Sequence, residues 1–122
     1  EREKILQSYK DNLPQYYEAF QMSKSNIDSV NWVTTFQLPL EKVHLRDRLE
    51  VFLNEKNIQS RKFFAPMSEQ PFISEMNGKT IGDLSNSIKI AKSGIYLPTY
   101  IGIKDEEIAE VSKQINLFLM DN

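Results

Sequence analysis

The stretch Leu45-Arg46-Asp47-Arg48-Leu49-Glu50-Val51-Phe52-Leu53-Asn54-Glu55-Lys56-Asn57-Ile58-Gln59-Ser60-Arg61-Lys62-Phe63 changes its period part-way, and that change decides the fold. From Leu45 to Asn54, residues Leu45, Leu49, Phe52 and Leu53 share one helical face, with Arg46, Asp47, Arg48 and Glu50 outward. Asn57 then tolerates the left-handed conformation that ends many helices. From Ile58 the period is 2: Ile58, Ser60 and Lys62 alternate with Gln59, Arg61 and Phe63, as in a strand.

Upstream, Asn31 to Leu38 is the clearest strand, nearly all β-branched or aromatic, and Pro39 closes it. Trp32 alternates in phase with Phe36 and is expected to be buried. Between Gln15 and Val30 the apolar Tyr16, Tyr17 and Phe20 give way to a loop composition from Ser23 to Ser29. Glu1 to Leu13 is helical: Ile5, Tyr9 and Leu13 recur at i, i+4, i+8, Leu6 widens the stripe, and Pro14 ends it.

Downstream, Pro66 breaks the strand and Ala65 to Phe72 has no period, so an irregular loop is expected. Phe63 and Phe64 are read as packing residues. Met76-Asn77-Gly78 marks a turn. Thr80 is a candidate cap for a helix from about Ile81 to Lys92, with Asp83 at its third position and Ile81, Leu84, Ile88 and Ala91 on one face. Gly94 stops that helix. A very short extended segment, Ile95 to Pro98, precedes the loop Thr99 to Lys104. Asp105 caps the last helix, Glu106 and Glu107 suit its dipole, and Ile108, Val111, Ile115 and Phe118 form its buried face.

Strands joined by helices can pack a small sheet under a helix layer. The fold class expected is α+β, two layers, with a small, mainly antiparallel sheet of about three strands. No internal boundary is visible, so residues 1–122 form one domain. So small a sheet can leave one face bare, and a bare apolar face needs a partner.

Composition narrows the function. A net charge of -2, with 40% hydrophobic and 26% charged residues, describes an ordinary globular domain without the basic stripe of a nucleic-acid binder. No cysteine and a single histidine, His44, exclude thiolate or histidine-rich metal centres. No apolar run can span a bilayer and no signal peptide is visible, so a cytoplasmic protein without membrane or nucleic-acid partners is expected. Starting at Glu1, inside a helical pattern, the chain is expected to be part of a longer one. Its four glycines form no phosphate loop, Ser60 and Ser68 have no evident histidine partner, and no catalytic set is complete. Arg61 is the exception in kind: its planar fork suits a carboxylate or phosphate. Ser68 and Gln70 stand nearby as neutral donors. Pairing with Glu69 or Glu75 is the structural alternative for Arg61.

The order of these segments resembles the C-terminal small domain of PLP-dependent sugar-nucleotide aminotransferases of the DegT/DnrJ/StrS type. Arg2-Glu3-Lys4-Ile5 to Leu13 is similar to its first helix, and Asn31-Trp32 to its entry strand. Arg48-Leu49 to Leu53 and Asn57-Ile58-Gln59-Ser60-Arg61 resemble its helix and "Thr-Arg" strand. Phe63-Phe64-Ala65-Pro66-Met67 to Gln70-Pro71-Phe72 resembles its "Pro-Met/Leu-His" loop. Gly94 to Thr99 and Asp105 to Ile108 are similar to its closing "Leu-Pro" strand and final helix. Asn57 stands where the family often has Gly, and Ser68 where it often has His.

The resemblance implies a fold-type-I parent enzyme, with pyridoxal phosphate and its Schiff-base lysine in an N-terminal large domain and none in this chain. It implies a homodimer, a sugar nucleotide and an amino donor as substrates, and a small domain that closes over the substrate without being catalytic itself. It also implies Arg61, Ser68, Gln70 and Asn31 as substrate-side residues, with Arg61 on the edge nearest the active site. A free-standing α+β binding or regulatory module without catalysis is the alternative from another class.

Overall fold

The computed structural model describes residues 1–22, 27, 29–76, 79 and 81–122. The main elements are α1 (Arg2–Asn12), β1 (Thr34–Gln37), α2 (Arg46–Glu55), β2 (Arg61–Lys62), α3 (Pro71–Glu75), α4 (Ser85–Ser93), β3 (Gly94–Leu97) and α5 (Asp105–Asp121). Short 3-10 helices occupy Pro14–Ala19, Leu40–Leu45 and Met67–Glu69. The strands form one antiparallel sheet in the order β1-β3-β2. The mixed α+β architecture expected from the sequence is the one observed.

Register explains which residues are inside. Thr34 pairs with Leu97 and Phe36 with Ile95, so these four side chains share one face, and all are buried. Leu49 and Leu53 from α2 and Ile108 and Ile115 from α5 complete the core with Ile5 and Tyr9 from α1 and Leu13 just after it. Helix α5 packs against both α1 and α2. Phe20 bridges Phe36 outside the sheet, their rings 5.2 Å apart, and Tyr16 meets Phe36 edge-on at 6.0 Å. Burying a side chain such as Phe36 contributes ~1.5–3 kcal/mol.

Helix α2 ends as its sequence dictates. Asn57 takes φ 59, its N–H donates to Asn54 O at 3.0 Å, and Ile58 N–H donates to Leu53 O at 2.9 Å. This paired closure satisfies two end carbonyls and turns the chain directly into β2.

Several expectations need correction. The first strand begins at Thr34, not Asn31, and Trp32 is 60% exposed rather than buried. Alternation fixes a face only where a residue is in the ladder, and Trp32 precedes it. The second strand holds only Arg61 and Lys62, because Ser60 N–H turns to the Asn54 side chain and Lys62 N–H to the Glu50 carboxylate at 3.3 Å. A carboxylate on that outer N–H also blocks the edge to further strands. Ala65 to Phe72 is not wholly irregular: it contains the Met67–Glu69 turn and the start of α3. Pro66 and Pro71 suit helix starts there, since neither needs to donate.

Helix α4 begins at Ser85, not Ile81, and Ile81 is 90% exposed. Asp83 accepts the Ser85 N–H at 2.9 Å, ahead of the helix rather than within it. The turn at Asn77-Gly78, the Thr80 cap and most of the loop from Ser23 to Asp28 lie outside the described residues. Lys104, not Asp105, caps α5, and Glu107 reaches back to the Lys104 N–H at 2.9 Å. Gly94 does end α4, but for an unexpected reason. Its backbone is extended, φ -106, and a Cβ there would stand 2.1–2.4 Å from the Phe63 ring. Glycine is required by that close approach, not by a left-handed turn.

Candidate functional site

Because β3 is antiparallel to both neighbours, the starts of β1 and β2 and the end of β3 lie at one end of the sheet. A groove of about 820 Å³ opens there. Trp32 and Val33 lead into β1 on one side, and Asn57 to Gln59 with Arg61 form the other. The floor is Leu97 to Tyr100, and Glu106, Glu107 and Glu110 line it from the first turns of α5.

The floor loop is fastened from several directions. Tyr9 donates its hydroxyl to Pro98 O at 2.9 Å, and burial raises its ionisation well above the ordinary tyrosine range. Thr99 accepts the Thr34 N–H and donates to Leu97 O, both at 2.8 Å. Tyr100 donates to the Glu107 carboxylate at 2.8 Å. That bond raises the Tyr100 ionisation, while the Lys104 N–H and the Tyr100 hydroxyl lower that of Glu107. Gly102, at φ 90, donates its N–H to the Glu1 carboxylate at 3.1 Å. Glu107 is therefore committed to the loop.

Of the four residues singled out in the sequence, only Arg61 lines the groove. It pairs across the sheet with Tyr96 and is exposed, and its guanidinium makes no hydrogen bond or ion pair among the described residues. Its alternative partner Glu69 pairs instead with Lys92 at 3.7 Å. Ser68 lies in the Met67–Glu69 turn with a buried hydroxyl that has no hydrogen-bond partner among the described residues. Gln70 donates to Ala65 O at 3.4 Å. Neither lines the groove. Asn31 is buried behind it, its side-chain oxygen accepting from Gln21 and from Ser29.

Trp32, Tyr96, Tyr100, Glu106 and Glu110 were missed in the sequence. Tyr96 had a readable signal, an aromatic out of phase with the apolar Ile95 and Leu97. Phe63 and Phe64 pack on its ring at 4.8 and 5.5 Å, as packing residues should, although Phe64 stays 69% exposed.

Among the described residues, no lysine lines the groove. It offers no amine for a Schiff base, so its residues do not fit a resident pyridoxal phosphate. Among the described residues there is no cluster that could hold a metal ion, and no helix is long and apolar enough to cross a membrane.

The model of the DegT/DnrJ/EryC1/StrS aminotransferase family matches residues 1–116. The chain belongs to that family. A curated relative of this aminotransferase-family chain, GDP-perosamine synthase of Vibrio cholerae, is 38% identical over 81 residues, which is 66% of the chain and 21% of that relative. Among solved structures, the aminotransferase TlmJ from Streptoalloteichus hindustanus superposes over 98% of the chain and 31% of its own, with a TM-score of 0.79 at 15% identity. Helicobacter pylori PseC, an aminotransferase involved in pseudoaminic acid biosynthesis, covers 99% of the chain and 32% of its own, with a TM-score of 0.80 at 12% identity. The chain thus spans about a fifth of the curated relative and a third of the solved ones.

Proposed function

We propose that this chain is the C-terminal small domain of a cytoplasmic, homodimeric aminotransferase that transfers an amino group to a keto-sugar nucleotide. The observation that carries this reading is the family match over residues 1–116, in a chain whose aligned part spans about a fifth of a perosamine synthase. The amino donor in this reading is glutamate. The large domain binds pyridoxal phosphate, which supplies the electron sink for transamination when bound. Here Arg61 binds an anionic group of the substrate or donor. Its exposed, unpaired guanidinium at the groove supports that role. Ser68, in the Met67–Glu69 turn, and Gln70, just after it, approach the substrate, and Asn31 steadies the chain leading into β1.

The test uses the full-length protein that carries this chain, loaded with pyridoxal phosphate and offered a keto-sugar nucleotide and glutamate. An amino-sugar nucleotide and 2-oxoglutarate are the expected products. A protein that forms neither, across guanosine, thymidine and uridine diphosphate sugars, refutes the reading. Arg61→Lys keeps the charge but loses the fork, and should raise KM for one anionic substrate about tenfold, ~1.4 kcal/mol, with Tm unchanged. A fall in Tm with constant KM values makes Arg61 structural instead.

A further inference from the structure

Trp32 is an unusual groove wall. An exposed indole costs solvation, yet its backbone is fixed on both sides: the N–H donates to Val30 O at 2.8 Å and the carbonyl accepts from Arg2 at 2.6 Å. Asn31, just before it, is buried and hydrogen-bonded. The indole is thus held in place without being packed away. On the far side of the same groove stands the unpaired Arg61. Trp32 leads into one edge strand and Arg61 lies in the other, with β3 between them. Arg61 is level with Thr35, their shared partner being Tyr96, so Trp32 lies two strand spacings across and three residues along from it, ~14 Å between backbones. Two long side chains reaching in from that span leave room for a base and its diphosphate between them. The same groove is lined by Glu106, which has no partner among the described residues, and Glu110, which accepts from Gln114 at 2.6 Å.

We propose that this groove holds the nucleoside diphosphate half of the sugar nucleotide, with the base stacked on Trp32 and the diphosphate on Arg61. The proposal rests on the sugar-nucleotide reading above and adds which end of the substrate this chain grips. Carboxylates would repel the diphosphate if they faced it. Set between base and phosphates, they instead accept the ribose hydroxyls, as acidic residues do in dinucleotide folds. Stacking tolerates any base, so Trp32 supplies affinity more than choice among bases.

Equilibrium titration of the full-length protein, independent of turnover, tests this with GDP, TDP, UDP and inorganic diphosphate as probes. In the native protein at least one nucleoside diphosphate should bind about tenfold or more tightly than inorganic diphosphate. Trp32→Leu should abolish that advantage and leave the Kd for inorganic diphosphate unchanged. Arg61→Gln should weaken both kinds of probe alike. If the advantage survives Trp32→Leu, or if neither probe binds a protein that does transaminate, the assignment is wrong while the enzyme reading stands. If Trp32→Leu lowers Tm and weakens every probe, Trp32 packs against the rest of the parent and the assignment is again wrong. If the expected pattern appears in a protein that does not transaminate, the binding site stands and the enzyme reading falls.

Discussion

Two aromatic clusters lie a few residues apart and behave in opposite ways. The rings of Phe20 and half-buried Tyr16 both close on Phe36, which is fully buried. Around Trp32 and Tyr100, the rings stand open beside charged side chains at the end of the sheet. What separates them is the ladder. Phe36 is paired with Ile95, so its direction is set by two strands, while Trp32 lies beyond the last pair at Thr34. Ring chemistry does not decide burial here; backbone pairing does.

The largest expected effect comes from the closed cluster. Phe36→Ala should lower stability by ~3–5 kcal/mol, read from the urea midpoint at constant m-value. A loss under about 1 kcal/mol would mean that the cluster is loosely packed. Gly94→Ala comes next. Its Cβ must displace the Phe63 ring, and a cost of ~1–3 kcal/mol is expected. Adding Phe63→Ala should recover most of that cost, and no recovery in the double-mutant cycle would place the strain elsewhere.

Tyr9 links the two regions, since it is buried with the first cluster and donates to Pro98 in the second. Tyr9→Phe should cost ~1 kcal/mol at neutral pH. Its neutral form is the one burial favours, so the folded-state value is raised. The Tyr9 contribution is therefore complete below the ordinary tyrosine value of 10.0 and is lost as pH climbs above it. A Tm profile should show that alkaline decline in the native protein and a shallower one in Tyr9→Phe; equal slopes would remove Tyr9 as the cause. Smallest of all, Trp32→Ala should change stability of this domain by no more than about 0.5 kcal/mol. A larger loss would close the gap between the clusters.

The helices were readable because their signals repeat. The stripe Ile5, Tyr9, Leu13 along α1 and its cap and the stripe Ile108, Val111, Ile115, Phe118 in α5 are buried as the period requires. Asn57 was readable because few residue types accept φ 59. The start of α4 was not, since Ile81 fits the helical period but nothing covers it, and the Asp83 hydrogen bond to Ser85 ends the preceding turn first. Short 3-10 helices at Pro14–Ala19 and Leu40–Leu45 are too brief to show a period. For the site, Arg61 was legible from its strand and residue type. Trp32 and the α5 carboxylates were not, because the groove arises from the meeting of three strand ends that are distant in sequence.

The position of β3 has a kinetic consequence. β1 and β2 do not pair with each other; each pairs only with β3, the last strand made. During synthesis both edge strands therefore wait for Gly94 to Leu97 before any ladder can form, and the core side of Phe36 stays uncovered meanwhile. Such non-local closure slows folding and prolongs exposure of sticky segments. The Glu50 carboxylate on the Lys62 N–H belongs to a contact with α2, close in sequence, so it can form before β3 emerges. It then shields one waiting edge from wrong partners, while the Phe20 bridge serves β1 in the same way. Truncation before Gly94 should accordingly yield a chain whose first aggregation contacts run through Thr34 to Gln37.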